Sequence, residues 1–222
     1  MSRSIQSTAR TPEARDAPDD LDAKKRATTD HEVLDVIAAR WSPRAFQDRP
    51  VESEKVLRCL EAARWAPSCY NEQPWRFMVA TPDDGPGFQR MLACLLEGNR
   101  KWAGEAPVLM LTFAKRTFTR GGKPNRTNEH DLGLGVAQLV LQAQAVGLHT
   151  HQMAGIDLDR IRTTYDIPDD FDPVAALALG YRAAPDRLAP DLAERERQPR
   201  GRKPLHELVF QDEWAHPADL VR

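Results

Sequence analysis

Cysteine is scarce in this chain of 222 residues: three, at 59, 69 and 94, with no CxxC pair. An odd, uneven set argues against a disulfide framework and for reduced thiols. No stretch approaches the ~20 apolar residues of a membrane-spanning helix. No apolar run follows the early arginines, so a secretory signal is not expected and a cytoplasmic protein is. Excess charge is lacking too. With 31 Lys and Arg against 33 Asp and Glu the net charge is −2, too balanced to attract nucleic acid globally. P-loop, GxGxxG, HExxH and GxSxG signatures are all missing. Any anion must be held by a local group of arginines. The six histidines are scattered. His149 and His151 would share one face of a strand, but no carboxylate cluster stands near them in sequence, and no metal site is expected.

What remains is an ordinary globular composition, 41% apolar and 29% charged, long enough to bury one core. Residues 1–27 have little to bury and are expected to be a disordered tail. Residues 28–210 form the expected domain, and 211–222 an arm. Thr29, Asp30, His31 and Glu32 have capping-box spacing, so a helix is predicted with Val33, Leu34 and Ile37 on its apolar face. Val56, Leu57, Leu60 and Ala63 predict a second helix from Ser53, which Pro67 stops. Strands are predicted over 75–81, 107–114, 149–153 and 174–181. Helices are predicted over 87–106, 128–148 and 157–165. The basic, Gly/Pro-rich 115–126 is expected to be a solvated loop, with a mobile lid over a site as the alternative, and the Pro- and charge-rich 183–199 a linker. Apolar content returns at 200–210. Helices and strands mix without a βαβ rhythm, so the class is α+β.

Two arginine groups stand out. "RWSPRAF" places Arg40, Ser42 and Arg44 within five residues, with Pro43 fixing the turn. "RGRKP" places Arg200, Arg202 and Lys203 far away in sequence. Guanidiniums are suited to phosphate or carboxylate, and two groups flanking core elements could together neutralise a phosphate dianion. Between them, "RWAPSCYNEQPWRF" sets Ser68, Cys69, Asn71 and Gln73 in a loop after a helix. Hydroxyl, amide and exposed backbone N–H groups suit a flat heterocycle with carbonyls and ring nitrogens. Cys69 has no evident partner base, so a plain loop thiol is the simpler reading.

In order and spacing these motifs resemble the FMN-dependent nitroreductase family: RxSxR after the first helix, "APSCYNEQPW", "NRKWAGEAPVLMLTF", a long helix opening "HDLGLG", "GLHTHQMAGID" and the late basic motif. The resemblance spans roughly residues 30 to 210. It implies a nitroreductase-like fold, a mostly antiparallel sheet flanked by helices, in an intertwined homodimer with FMN at the interface. Arg40, Trp41, Ser42 and Arg44 would then hold the phosphate and pyrimidine side, and Arg200 and Arg202 would complete the phosphate site. Pro67, Ser68, Cys69, Asn71 and Gln73 would line the flavin from the partner subunit. Asn99 would reach the flavin edge, and Met153, Ala154 and Gly155 would lie near N5. Arg44 would tune the flavin, with no side chain assigned as proton donor. The implied activity is ping-pong transfer of hydride from NAD(P)H to FMN and on to a nitroaromatic, quinone or related small acceptor. Flavin fragmentation, reductive dehalogenation and a non-enzymatic flavin-binding role are the alternatives. Trp41 and Trp102 depart from the usual pattern. The long helix, with its broad apolar face and small residues, is expected to need a two-fold partner to cover it.

Overall fold

A computed structural model describes residues 20–221. Four strands, Trp75–Ala80 (β1), Val108–Lys115 (β2), His149–Met153 (β3) and Phe171–Gly180 (β4), form one sheet in the spatial order β1-β2-β4-β3. Every neighbouring pair is antiparallel. Around it lie, among the described residues, eight α-helices: Asp20–Lys25 (α1), Asp35–Ala39 (α2), Ser53–Arg64 (α3), Pro86–Ala93 (α4), Glu97–Ala103 (α5), Asn128–Ala145 (α6), Leu158–Tyr165 (α7) and Pro190–Arg197 (α8). The α+β class and the antiparallel sheet are as expected.

The two inner strands are apolar along their length because both of their faces are covered. Leu109, Leu111 and Phe113 of β2, with Ala176 and Ala178 of β4, pack with Phe88, Met91, Trp102 and Ile161 from α4, α5 and α7. Val108, Met110 and Ala114, with Leu177 and Leu179, pack on the opposite face with Cys59 and Ala63 of α3 and Leu132, Val136 and Leu139 of α6. Successive side chains of a strand point to opposite faces, so a strand covered on both sides needs an unbroken apolar run. The register between β2 and β4 slips between Thr112 and Phe113, where Ala175 and then Pro173 are the partners. Proline has no N–H for the ladder, and a bulge accommodates it.

Helix α6 ends where glycine allows it. Gly147 has φ +79°, its N–H reaches the Gln144 carbonyl at 3.2 Å, and the Leu148 N–H reaches Ala143 at 2.8 Å. This is the paired closure of a Schellman motif.

Several expectations are corrected. Of the expected tail, residues 1–19 lie outside the described residues, whereas Asp20–Lys25 are helical and bury Lys25. The expected cap at Thr29–Glu32 does not form. Helix α2 begins at Asp35 without a side-chain cap, and Val33, Leu34 and Ile37 remain exposed. The single helix expected over 87–106 is two, because Leu95 leaves the helical path to bridge Ile156. The expected linker contains α8, which buries Glu196. The apolar face of α6 is covered within the chain by α3 and the sheet, so it does not itself call for a partner. Exposed large apolar side chains include Leu34 and Ile37 at α2, Leu57 of α3 and Trp65 just past it, Leu96, Leu158, and Leu205, Leu208 and Trp214 near the C-terminus.

Candidate functional site

The RWSPRAF turn begins where α2 ends and is fixed at three points. Gln47 N–H donates to Tyr181 O at 2.8 Å and Ala183 N–H to Ala45 O at 2.9 Å, so the segment continues alongside the end of β4. The buried Glu196 carboxylate of α8 accepts from the Arg44 N–H at 2.7 Å and the Ala45 N–H at 3.2 Å, and lies 3.7 Å from the Arg44 guanidinium. His151 on β3 places Nδ1 3.0 Å from the Pro43 carbonyl. A carbonyl only accepts, so the proton sits on Nδ1. Burial, with a smaller contribution from Arg44, pushes the His151 imidazole down to about 4. The ring is therefore neutral near pH 7, and it packs 4.6 Å from the Trp102 ring centroid.

The two distant arginine motifs meet at this turn. Arg200 donates through Nη1 to the Arg40 carbonyl and through Nη2 to the Ala38 carbonyl at 2.8 Å, so it sits on the last carbonyls of α2. Arg40 Nη1 donates to Ser42 Oγ at 3.1 Å. Burial first, and then the charge of Arg202, lower the Arg40 guanidinium from its ordinary value. Burial first, then Arg40 and Arg202, lower that of Arg200. Three guanidiniums thus destabilise one another. The buried Nε of Arg200 has no hydrogen-bond partner, an arrangement that costs energy unless an acceptor completes it. Lys25 lies in the same group, near Arg200, Arg44 and Glu196. A phosphate dianion fits this donor set: it would accept from the guanidiniums and relieve their repulsion.

The other half of the expected site lies at the opposite edge of the sheet. The loop after α3 leads into β1, whereas Met153 ends β3 and Ala154 and Gly155 follow it, and β1 and β3 are the two outer strands. In this loop Cys69 N–H donates to the buried Asp131 carboxylate of α6 at 3.0 Å, and Gln73 N–H to Ser68 Oγ at 3.0 Å. Tyr70, Asn71 and Gln73 have φ of 51°, 57° and 51°. Left-handed backbone at a non-glycine residue costs on the order of 1–3 kcal/mol and persists only where the surroundings impose it. Glu72 is part of what imposes it. It accepts from Thr119 N–H at 2.9 Å, Thr119 Oγ1 at 2.6 Å and Lys115 Nζ at 3.2 Å, tying the loop to the basic 115–126 segment. Burial pushes the Glu72 carboxyl up, but these donors outweigh it and hold it below the usual range.

Asn99 of α5 donates through Nδ2 to the Gly155 carbonyl at 3.0 Å, as Leu96 N–H also does. A Cβ on Gly155 would stand 2.6 Å from that nitrogen. The structure therefore groups Arg40, Trp41, Ser42, Arg44, Arg200 and Arg202 around one turn, and Asn99 with Gly155 beside β3. Pro67, Ser68, Cys69, Asn71 and Gln73 stand apart at the β1 edge of the same chain. Sequence reasoning missed Lys25, Glu196 and His151 as parts of the turn, and Asp131 as the anchor of the loop. His151 alone had a signal, its place two residues before Met153.

The nitroreductase family model matches residues 37–100 and 88–181. A solved structure of an oxidoreductase containing FMN superposes with a TM-score of 0.80, at 39% identity, over 85% of this chain and 96% of that one. A Streptomyces coelicolor protein named as a candidate NADH dehydrogenase/NAD(P)H nitroreductase is 26% identical over 165 residues, 65% of this chain and 82% of its own. The 5,6-dimethylbenzimidazole synthase of Rhodospirillum rubrum is 28% identical over 170 residues, 64% of this chain and 78% of its own. The matched residues run from α2 through the RWSPRAF turn to the end of β4, and the chain belongs to the nitroreductase family.

Proposed function

We propose that this chain is an FMN-dependent oxidoreductase that draws electrons from NAD(P)H and passes them to a nitroaromatic, quinone or related small acceptor, working as a homodimer with FMN at the interface. The observation that carries the reading is the meeting of Arg40, Arg200 and Arg202, from two motifs some 160 residues apart, with a buried donor of Arg200 left unpaired. Bound FMN would supply the redox chemistry in alternating half-reactions. The residues bind and orient. Arg40, Arg200 and Arg202 would hold the phosphate, and Ser42 steadies Arg40. Arg44, its charge partly offset by Glu196, would face the pyrimidine side. Met153, Ala154 and Gly155, braced by Asn99, would line the N5 region, with Trp41 packed beneath the turn.

Placement supports the dimeric part of this reading. The strained loop from Pro67 to Gln73 lies at the wrong edge of the sheet to reach its own chain's arginine group, so a second copy would have to bring it there. The exposed Leu34, Ile37, Leu57 and Trp65 are an apolar surface suited to such a contact. A second reading, in which flavin is consumed rather than recycled, draws on the likeness to the R. rubrum synthase.

The test is the absorption spectrum of purified protein loaded with FMN, before and after NADH or NADPH under nitrogen. Bleaching of the flavin band, and its return when a quinone or nitroaromatic is added, is expected. A protein that takes up no FMN overturns the proposal. Loss of flavin with appearance of a new aromatic product would replace it by the second reading.

A further inference from the structure

Lys25 is 6% exposed, a rare position for a lysine unless something pairs with it. Its ammonium donates to the Gln198 carbonyl, two residues before Arg200, and stands 5.1 Å from the Trp41 ring centroid. It belongs to α1, six residues long and too short to persist unaided. Asp22 fastens this helix to the sheet. Its carboxylate accepts from Arg182 Nε at 2.7 Å and Nη2 at 2.6 Å, and from Trp41 Nε1 at 3.0 Å. Just past α1, the Ala27 N–H donates at 2.9 Å to the Ala38 carbonyl, the acceptor that also receives Arg200 Nη2. A continuous path therefore runs from Arg182, just past the end of β4, through Asp22 and Lys25 to the Gln198–Arg200 segment.

Packing alone does not explain the ammonium. An apolar side chain would fill the same space beneath Trp41 without adding a cation beside Arg200 and Arg44. Burial lowers the Lys25 pKa most; Glu196 opposes the fall, and Arg200 and Arg44 add to it. A buried cation near others is costly unless an anion repays it.

We propose that α1 is a strap in which Lys25, fastened through Asp22, positions Arg200 and raises the local charge, so that it sets how tightly this chain grips the phosphate end of its cofactor. Both Lys25 and Arg200 lie outside the family-matched 37–181. Lys25 is a positioning residue. The inference rests on the FMN reading above.

The test compares FMN with riboflavin, which differ by the phosphate alone. Each is titrated against full-length protein, with quenching of flavin fluorescence as the signal. Lys25→Met and Asp22→Asn should each weaken FMN binding about tenfold, roughly 1.4 kcal/mol, and leave riboflavin binding within about twofold. Lys25→Arg should recover most of the loss. Melting of each variant without flavin reports folding, and if Lys25→Met does not fold, the Asp22→Asn titration decides. Unchanged FMN affinity, or equal losses for both flavins, overturns the strap. Wild-type protein that binds neither flavin overturns the FMN reading and the strap with it.

Discussion

The neutral His151 makes a measurable claim about acid stability. In the folded chain its imidazole is pushed down to about 4 from the ordinary 6.5, by burial first and Arg44 second. Between these values the unfolded chain binds a proton that the folded chain refuses, so stability falls as pH drops from 6.5 toward 4 and is fully present above 6.5. At 1.36 kcal/mol for each tenfold difference in proton affinity, the loss by pH 4 is roughly 3 kcal/mol. It is a large part of the 5–15 kcal/mol that holds a typical domain together. His151→Asn keeps an N–H near the Nδ1 position for the Pro43 carbonyl and does not titrate. Urea unfolding at pH 7.5, 5.5 and 4.5 gives the stability of both proteins. Carboxylates held low, such as Asp172 beside Arg116 and Arg162, weaken both on acidification and cancel in the difference. The variant is expected to start lower at pH 7.5, from lost packing against Trp102, but to lose roughly 2.5 kcal/mol less by pH 4.5. Parallel curves would refute the reasoning, since they would mean that His151 accepts its proton in the folded chain as easily as in the unfolded one.

Removing a member of the arginine group should have opposite effects with and without ligand. Arg202→Ala relieves repulsion on Arg40 and Arg200, so the flavin-free melting temperature should hold or rise, while FMN affinity falls about 10- to 100-fold for a lost charge-assisted contact; a fall in both readings contradicts the assignment. Glu196→Gln leaves Arg44 and Lys25 without their buried carboxylate and should cost about 3 kcal/mol in urea unfolding, and a loss below 1 would show that the carboxylate is not what holds the turn. Gly180→Ala sets a Cβ 2.5 Å from two ring carbons of Pro107 and 3.1 Å from Phe46. These rigid neighbours make a loss of about 1–3 kcal/mol the expectation, readable in the same assay. If the site needs two copies, dilution should release FMN together with the loss of dimer, seen by fluorescence and sedimentation; flavin retained by a monomer would contradict the shared site.

The elements most legible in the sequence were those whose burial is local and one-sided, or complete. The run from Val108 to Ala114 admits one reading because both of its faces are covered. The stop at Pro67 likewise announces a helix end by backbone chemistry alone, whereas the helix predicted over 128–148 ran through Gly147, where the chain turns out of it. The failures share a cause. The capping-box pattern at Thr29–Glu32 lost to a chain path in which Ala27 pairs with Ala38. The helix over 87–106 broke because Leu95 gains more from bridging Ile156 than from continuing. In each case a contact distant in sequence outweighed a local preference worth a kcal/mol or less.

The site divides in the same way. Arginines in pairs around a proline turn can be read as an anion grip, because their spacing is local. What cannot be read is which charges the fold buries beside them. Glu196 sits in "DLAERER", a segment whose composition describes a solvated linker, yet its carboxylate is the acceptor on which the Arg44 turn closes. Lys25 sits in a stretch with almost nothing apolar, and what buries it comes from Trp41 and from a carbonyl 173 residues away. Buried charge is expensive, so it survives only where several distant groups converge to repay it. Convergence of that kind is a property of the folded chain, and for that reason the parts of this site with the most electrostatic leverage were the parts with the least sequence signal.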